Sequence, residues 1–278
     1  MDVLVLENIQ AVAEHARKKT EEKTLRAVIA AGGDGTVRLV AEHTTAEMPL
    51  AVLPLGTENL VSKYLELPTE PAGVADLVLS GWNVQLDAGE ANGKLFTLMT
   101  GCGFDAEVVR RLHNERKGNI HHLSYAKPIL DSIRNYDYPL LRVDCQAGEE
   151  RLALSGCWVF VVNLPRYAGG LNFAPAAAGN DGLLDICTFK EGSLWHGLVY
   201  LGGVMLGQHE GMDDFVRVQT RRLRVEADGA APYQLDGDPG GDLPVEFSVM
   251  PGRLTMLVDC GWAKDHGFVA ADEVPTTM

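Results

Sequence analysis

The chain has 278 residues, enough for one large or two ordinary domains, and its 46% hydrophobic and 22% charged residues are a normal globular balance that supports a sizeable core. A formal net charge of −14 argues against broad nucleic-acid binding and against adsorption to an anionic membrane by charge alone, so any anionic ligand must be held locally. The 5 cysteines include no C-x-x-C pair, which suggests neither a disulfide framework nor a zinc site and fits a reducing cytoplasm.

The opening Met-Asp-Val-Leu-Val-Leu-Glu-Asn has no basic segment and only a short apolar run, unlike a secretory signal. Amphipathic spacing predicts helices over Glu7 to Lys19 and Thr36 to His43, and Pro71 starts a third that reaches Leu79. Apolar runs between them, Leu25 to Ala30 and Leu50 to Leu53, predict strands. This alternation predicts a parallel α/β domain over residues 1–86. From Val84 the rhythm changes to short β-rich runs with turn signals at Asn92-Gly93, Ala147-Gly148, Ala227-Asp228-Gly229 and Pro239-Gly240-Gly241. Helical stretches at Asp105 to Leu112, Leu123 to Asn135 and Leu194 to Leu206 interrupt it. The expected architecture is therefore α/β plus mostly β: a sandwich-like second domain over residues 87–265 with a few helices, and a polar tail over 266–278. A ligand cleft is expected between the domains. No stretch approaches the roughly 20 apolar residues of a membrane-spanning helix, so contact with lipid is expected to be peripheral.

The run Ala31-Gly32-Gly33-Asp34-Gly35-Thr36 sits between a strand and a helix. Glycines there let the backbone approach a phosphate, and the N–H groups and positive dipole end of the helix suit an anion. Asp34 would repel bare phosphate, so it points to magnesium or to a proton moving during chemistry at that phosphate. Taken alone, the run also fits a plain tight turn. After the next strand comes Pro54-Leu55-Gly56-Thr57-Glu58-Asn59, at the sheet edge where open α/β folds bind ligands. Thr57 and Asn59 have the chemistry to donate to phosphate or ribose and to cap the helix that follows.

With these motifs the chain resembles the diacylglycerol-kinase-like lipid kinases, a group that includes sphingosine and ceramide kinases and small bacterial lipid kinases. The likeness rests on Gly32 to Thr36, Pro54 to Asn59, Gly103-Phe104-Asp105-Ala106, Asn163 through Tyr167-Ala168-Gly169-Gly170 to Ala174-Pro175, Asn180-Asp181-Gly182-Leu183-Leu184-Asp185, and Asp236-Gly237-Asp238-Pro239. It implies a kinase that moves the γ-phosphoryl group of ATP to a lipid hydroxyl with Mg²⁺, using a nucleotide domain and a β-rich lipid domain. It implies nucleotide contacts from Gly32, Gly33, Asp34, Gly35, Thr36, Gly56, Thr57 and Asn59. It also makes the second acid of Asp-Gly-Asp the general base. Here that acid is Asp238, where relatives often carry the longer Glu, which leaves Asp236 as a co-candidate beside Asp34. Asp-Gly between alternating apolar runs is equally a hairpin signal. By the same likeness Asn180, the Leu183 carbonyl and Asp185 hold a structural magnesium, a set of oxygens such a hard cation accepts.

Relatives open with a strand and an Asn-Pro turn before the segment that starts this chain, and Glu58 stands where they often have glycine. A catalytically silent lipid-binding or regulatory homologue is the alternative to an active kinase. An NAD kinase, which shares Gly-Gly-Asp-Gly, is a further one, and a homodimer is an open arrangement. The pattern G-x-G-x-x-A at Gly101 to Ala106 mimics a dinucleotide fingerprint, yet no acid ends a second strand about 20 residues on. Arg110, Arg111, His113, Arg116, Lys117, His121 and His122 form the densest basic cluster, either a solvated face or a contact for anionic head groups. Arg217, Arg221, Arg222 and Arg224 are expected on the exposed side of a β run.

Overall fold

The computed structural model describes residues 3–6, 8–115 and 136–268. The predicted helix at Leu123 to Asn135, the basic residues Arg116, Lys117, His121 and His122, and the tail from residue 269 lie outside them. The chain forms two units, residues 1–88 with 250–278, and residues 89–249. Residues 250–265 thus go with the first unit, although the sequence suggested the second.

In the first unit, α1 (Ile9–Glu21) is capped by Asn8, whose Oδ1 accepts from the Gln10 amide at 2.8 Å and the Ala11 amide at 3.4 Å. β1 (Val28–Gly32) pairs in parallel with β2 (Leu50–Pro54), Val28 opposite Leu50 and Gly32 opposite Pro54. Between them α2 (Asp34–His43) buries Val37, Val40 and Ala41. It starts two residues before the predicted Thr36, because Gly33 is extended at the cap position and Asp34 already enters the first turn. The short α3 (Leu60–Tyr64) and α4 (Pro71–Ser80) follow. The far end of β14 (Val245–Val258) returns to this sheet in parallel, Met256 opposite Leu50, and α7 (Cys260–Asp265) closes the unit.

Two arginines satisfy helix-end carbonyls in this unit. Arg26 donates to the Val78 and Gly81 carbonyls at 2.6 and 2.8 Å, and Arg253 to those of Ala41 and Thr44 at 2.7 and 2.6 Å. Cations at the C-terminal ends of α4 and α2 meet both the unpaired carbonyls and the negative end of the helix dipole.

The second unit has two antiparallel sheets. One orders β10 (Phe215–Thr220), β9 (Leu184–Phe189), β8 (Trp158–Val162), β5 (Met99–Gly103), β12 (Pro232–Leu235) and β13 (Asp238–Asp242). In the other, the near end of β14 pairs with β11 (Arg222–Ala227), β11 with β6 (Leu141–Ala147), and β6 with β7 (Glu150–Gly156). Phe96, Leu141, Val159, Ile186, Leu223, Tyr233 and Phe247 share one core. β3 (Trp82–Ala91) turns at Asn92 and Gly93, both at positive φ, into β4 (Lys94–Phe96), as the Asn-Gly signal predicts.

Pro239-Gly240-Gly241 is a correction to the turn expected there: it lies inside β13, where the register shifts. A Cβ on Gly240 would stand 2.3 Å from the Tyr233 ring, so glycine serves here to let that ring lie across the strand. α5 (Phe104–Glu115) follows β5, and α6 (Leu194–Met205) follows β9. β5 pairs antiparallel with both β8 and β12, so its glycine pattern is no dinucleotide βαβ unit. No helix of the described residues is long and apolar enough to cross a membrane.

Candidate active site

The two glycine turns of the first unit pack backbone against backbone. A Cβ on Gly56 would stand 2.5 Å from the Gly33 Cα, so neither turn tolerates a side chain where they meet. Asn59 fixes the second turn with both ends of its amide: Oδ1 accepts from the Gly56 amide at 2.9 Å and Nδ2 donates to the Gly56 carbonyl at 2.8 Å. Its own backbone is left-handed, φ 49°, a conformation asparagine tolerates better than most residues. Thr36 folds over Gly32, whose Cβ would come within 2.2 Å of Oγ1. Thr57 is exposed at the tip.

Asp34 ties the turns together. Its Oδ2 accepts from the Leu60 amide at 3.0 Å and its Oδ1 from the Val61 amide at 2.9 Å. The carboxylate therefore supplies the N-terminal capping of α3 that the Asn59 side chain does not. Glu58 pairs with Lys63 at 3.4 Å on the surface, which softens the extra charge it brings to this turn.

In the second unit, Asp236 and Gly237 are the two-residue loop between β12 and β13, with φ of 49° and 86°. Leu235 pairs with Asp238, which puts Asp238 at the first position of β13. The hairpin and the Asp-Gly-Asp motif are thus the same residues. Asp236 is half-buried as a residue, but its carboxylate is enclosed. It accepts from the amides of Thr97, Leu98 and Met99 at 2.7, 2.8 and 3.1 Å and from the Thr97 hydroxyl at 3.0 Å. Burial pushes its carboxyl up, and those donors pull it back.

Behind this turn lies a carboxylate, that of Asp105 in the Gly103-Phe104-Asp105-Ala106 motif, to which the sequence assigned no role. Asp105, in the first turn of α5, accepts from the Tyr167 hydroxyl at 2.9 Å and from Gln234 Nε2 at 3.0 Å. Burial pushes its carboxyl up to about 6 against the pull of those two donors, and raises the Tyr167 hydroxyl as well. Gly101 makes the room, since a Cβ there would lie 2.1 Å from Asp105 Oδ2. The available signal was an acid one turn into a helix after a wholly buried strand.

Residues 1–91 match the diacylglycerol kinase catalytic domain, and residues 99–258 match the YegS C-terminal NAD kinase beta sandwich-like domain. A probable lipid kinase YegS-like protein of Pseudomonas aeruginosa is 33% identical over 84% of this chain and 77% of its own. A diacylglycerol kinase of Mycobacterium tuberculosis is 30% identical over 88% and 81%. The chain belongs to the diacylglycerol-kinase-like lipid kinase family. The solved structure of a diacylglycerol kinase from Bacillus anthracis shares the fold, with a TM-score of 0.68 and 23% identity over 93% of this chain and 85% of that one.

The structural magnesium that this lipid kinase family implies does not fit the residues present. Asp185, 2% exposed, accepts from Arg217 Nε at 2.7 Å through Oδ1 and from Gln219 Nε2 at 3.4 Å through Oδ2. Asp181 accepts from the Leu183 amide at 2.9 Å and from Gln219 Nε2 at 3.2 Å. A divalent ion on Asp185 would face a guanidinium already in place, and like charges repel. Arg217 is accordingly a correction to the exposed decoration expected of it: it is the cation of this turn. Melting curves in EDTA and in Mg²⁺ should coincide. Arg217→Met should cost about 2–4 kcal/mol, below the range for a wholly buried pair because Arg217 keeps 23% of its side chain exposed. A clear rise of the wild-type melting temperature with Mg²⁺ would restore the metal site.

Of the basic cluster, Arg110 and Arg111 pair with Glu107, the latter at 2.6 Å, and Arg110 reaches Asp242 at 3.5 Å. Both are engaged on their own helix before any head group is considered.

Proposed function

We propose that the protein transfers the γ-phosphoryl group of Mg-ATP to the hydroxyl of a lipid such as a diacylglycerol or a sphingoid base. The observation that carries this is the contact of Gly33 with Gly56, which keeps side chains away from the first-turn amides of α2. The Thr36 amide donates to the Gly33 carbonyl at 2.9 Å, and the Asp34 and Gly35 amides ahead of it lie where helix geometry supplies no carbonyl, so with the dipole they suit a phosphate. Gly32, Gly35, Thr36 and Thr57 complete the nucleotide contacts, and Mg²⁺ enters with its nucleotide. Asp34 holds the two turns in register, a positioning role fixed by its bonds to α3.

The lipid oxygen attacks the γ-phosphorus, the bond to the β,γ-bridging oxygen breaks, ADP leaves, and the hydroxyl proton passes to Asp238. Of the two acids of the hairpin, Asp236 is occupied by four donors in holding the loop. This favours Asp238 as the base on our reading. Phosphoryl transfer asks mainly for such positioning and charge neutralisation.

Lipid reaches the protein, on this reading, at the face of α6. Trp195, Leu198 and Met205 are 71%, 53% and 69% exposed there, and no Asp, Glu, Lys or Arg occurs from Gly192 to His209. An uncharged helix face led by Trp suits the bilayer interface. The test is transfer of ³²P from Mg-ATP into diacylglycerol or a sphingoid base carried in neutral vesicles. The expected result is labelled lipid, at a lower rate for Trp195→Ser. A silent lipid-binding homologue would show vesicle binding without label or Mg-ATP heat in calorimetry, and label in added NAD would move the assignment to an NAD kinase.

A further inference from the structure

We propose that Asp105 is a positioning residue that sets the Asp236-Gly237-Asp238 turn through the side-chain amide of Gln234. The proposal rests on the reading above, in which Asp238 takes the proton.

Gln234 is wholly buried on β12. Its Nε2 donates to Asp105 Oδ2 at 3.0 Å, and its Oε1 accepts from the Gly237 amide at 2.8 Å. A glutamine amide has one donating and one accepting end, and a carboxylate only accepts. Asp105 therefore dictates which way Gln234 faces, and that choice leaves the oxygen, not the nitrogen, for Gly237. The Tyr167 hydroxyl holds the other oxygen of Asp105 at 2.9 Å, so the carboxylate cannot rotate out of the arrangement without losing a bond. The Thr100 hydroxyl donates to the Gln234 backbone carbonyl at 2.5 Å and holds the same residue from its main chain.

Burying a carboxylate costs stability, and the packing of β5 against β12 does not call for one. Its cost has a use if the hairpin needs a fixed polarity behind it. Asp236 anchors one end of the loop to the amides of residues 97–99, and Gln234 anchors Gly237. Asp238 follows immediately, so both anchors set where its carboxylate starts.

The test is a swap of polarity. Asp105→Asn keeps a single acceptor for two donors: with the Tyr167 hydroxyl donating to it, the amide nitrogen meets Gln234 Nε2, two donors face to face, and Gln234 must turn its oxygen away from Gly237. Adding Gln234→Glu supplies acceptors to both neighbours and returns the net charge to its starting value. Two readouts are taken: hydrogen exchange of the Gly237 amide, and kcat with KM for Mg-ATP. Asp105→Asn should speed Gly237 exchange and lower kcat, each by about tenfold or more, as expected for loss of a buried hydrogen bond, with KM little changed. The double variant should recover most of both.

Unchanged Gly237 exchange in Asp105→Asn overturns the proposal. So does a double variant that melts like the wild type yet recovers neither readout. If Asp105→Asn alone does not fold, a folded double variant with a protected Gly237 supports the proposal, and an unfolded one overturns it. A wild-type protein that labels no lipid would sink the kinase reading, while the exchange measurement still decides the positioning role.

Discussion

Asp238→Asn should lower kcat for lipid phosphorylation by about 10²–10⁴-fold, the usual contribution of a general base. The substitution keeps size and one acceptor oxygen but cannot take up the proton of the lipid hydroxyl. Asp238 is the first residue of β13, paired with Leu235, and it is half-buried rather than enclosed. The hairpin should therefore survive, with melting temperature and KM for Mg-ATP close to wild type. Asp238→Glu is the companion variant: one methylene longer, it should keep kcat or raise it. If Asp238→Asn retains kcat within about threefold, the base is another group.

Asp236→Ala should act on stability instead, by about 3–5 kcal/mol in denaturant unfolding, in the range seen when a buried, fully hydrogen-bonded charge is removed. Three backbone amides and the Thr97 hydroxyl lose their acceptor together. Asp236→Asn should recover only part of this, since one carboxamide oxygen cannot serve four donors that two oxygens now share. The left-handed backbone adds to the argument. Asp236 holds φ 49°, which aspartate accepts more readily than alanine. A loss below about 1 kcal/mol would show that solvent replaces the carboxylate at those amides.

Much of this was legible in the sequence because it is local. Alternating apolar runs placed β1, α2 and β2, and Asn92-Gly93 gave a hairpin whose two residues require positive φ. The glycine turns were legible for the same reason. What they do to each other was not, since Gly33 meets Gly56 only after β2 has formed beside β1. The bonds of Asp34 were not legible either, because its two amide partners lie in a helix 26 and 27 positions further on.

The larger surprises are of the same kind over longer distances. Asp105 is joined to Gln234 across 129 positions, and no periodicity carries that information. Arg217 reads as surface decoration until β10 pairs with β9 and brings Asp185 beside it. Pro239-Gly240-Gly241 has the composition of a turn, yet its glycines serve a ring that comes from β12. In each case the residue type was informative and the partner was not.

The route of β14 bears on how the protein is made. The first unit is written in two stretches, and the second supplies Met256 beside Leu50 and the Arg253 clamp on the carbonyls that end α2. A ribosome makes Ala41 212 positions before the Arg253 that clamps its carbonyl, so the helix that follows the glycine turns is not secured until β14 has emerged. A premature stop anywhere in the β-rich middle would therefore release the glycine turns without that support.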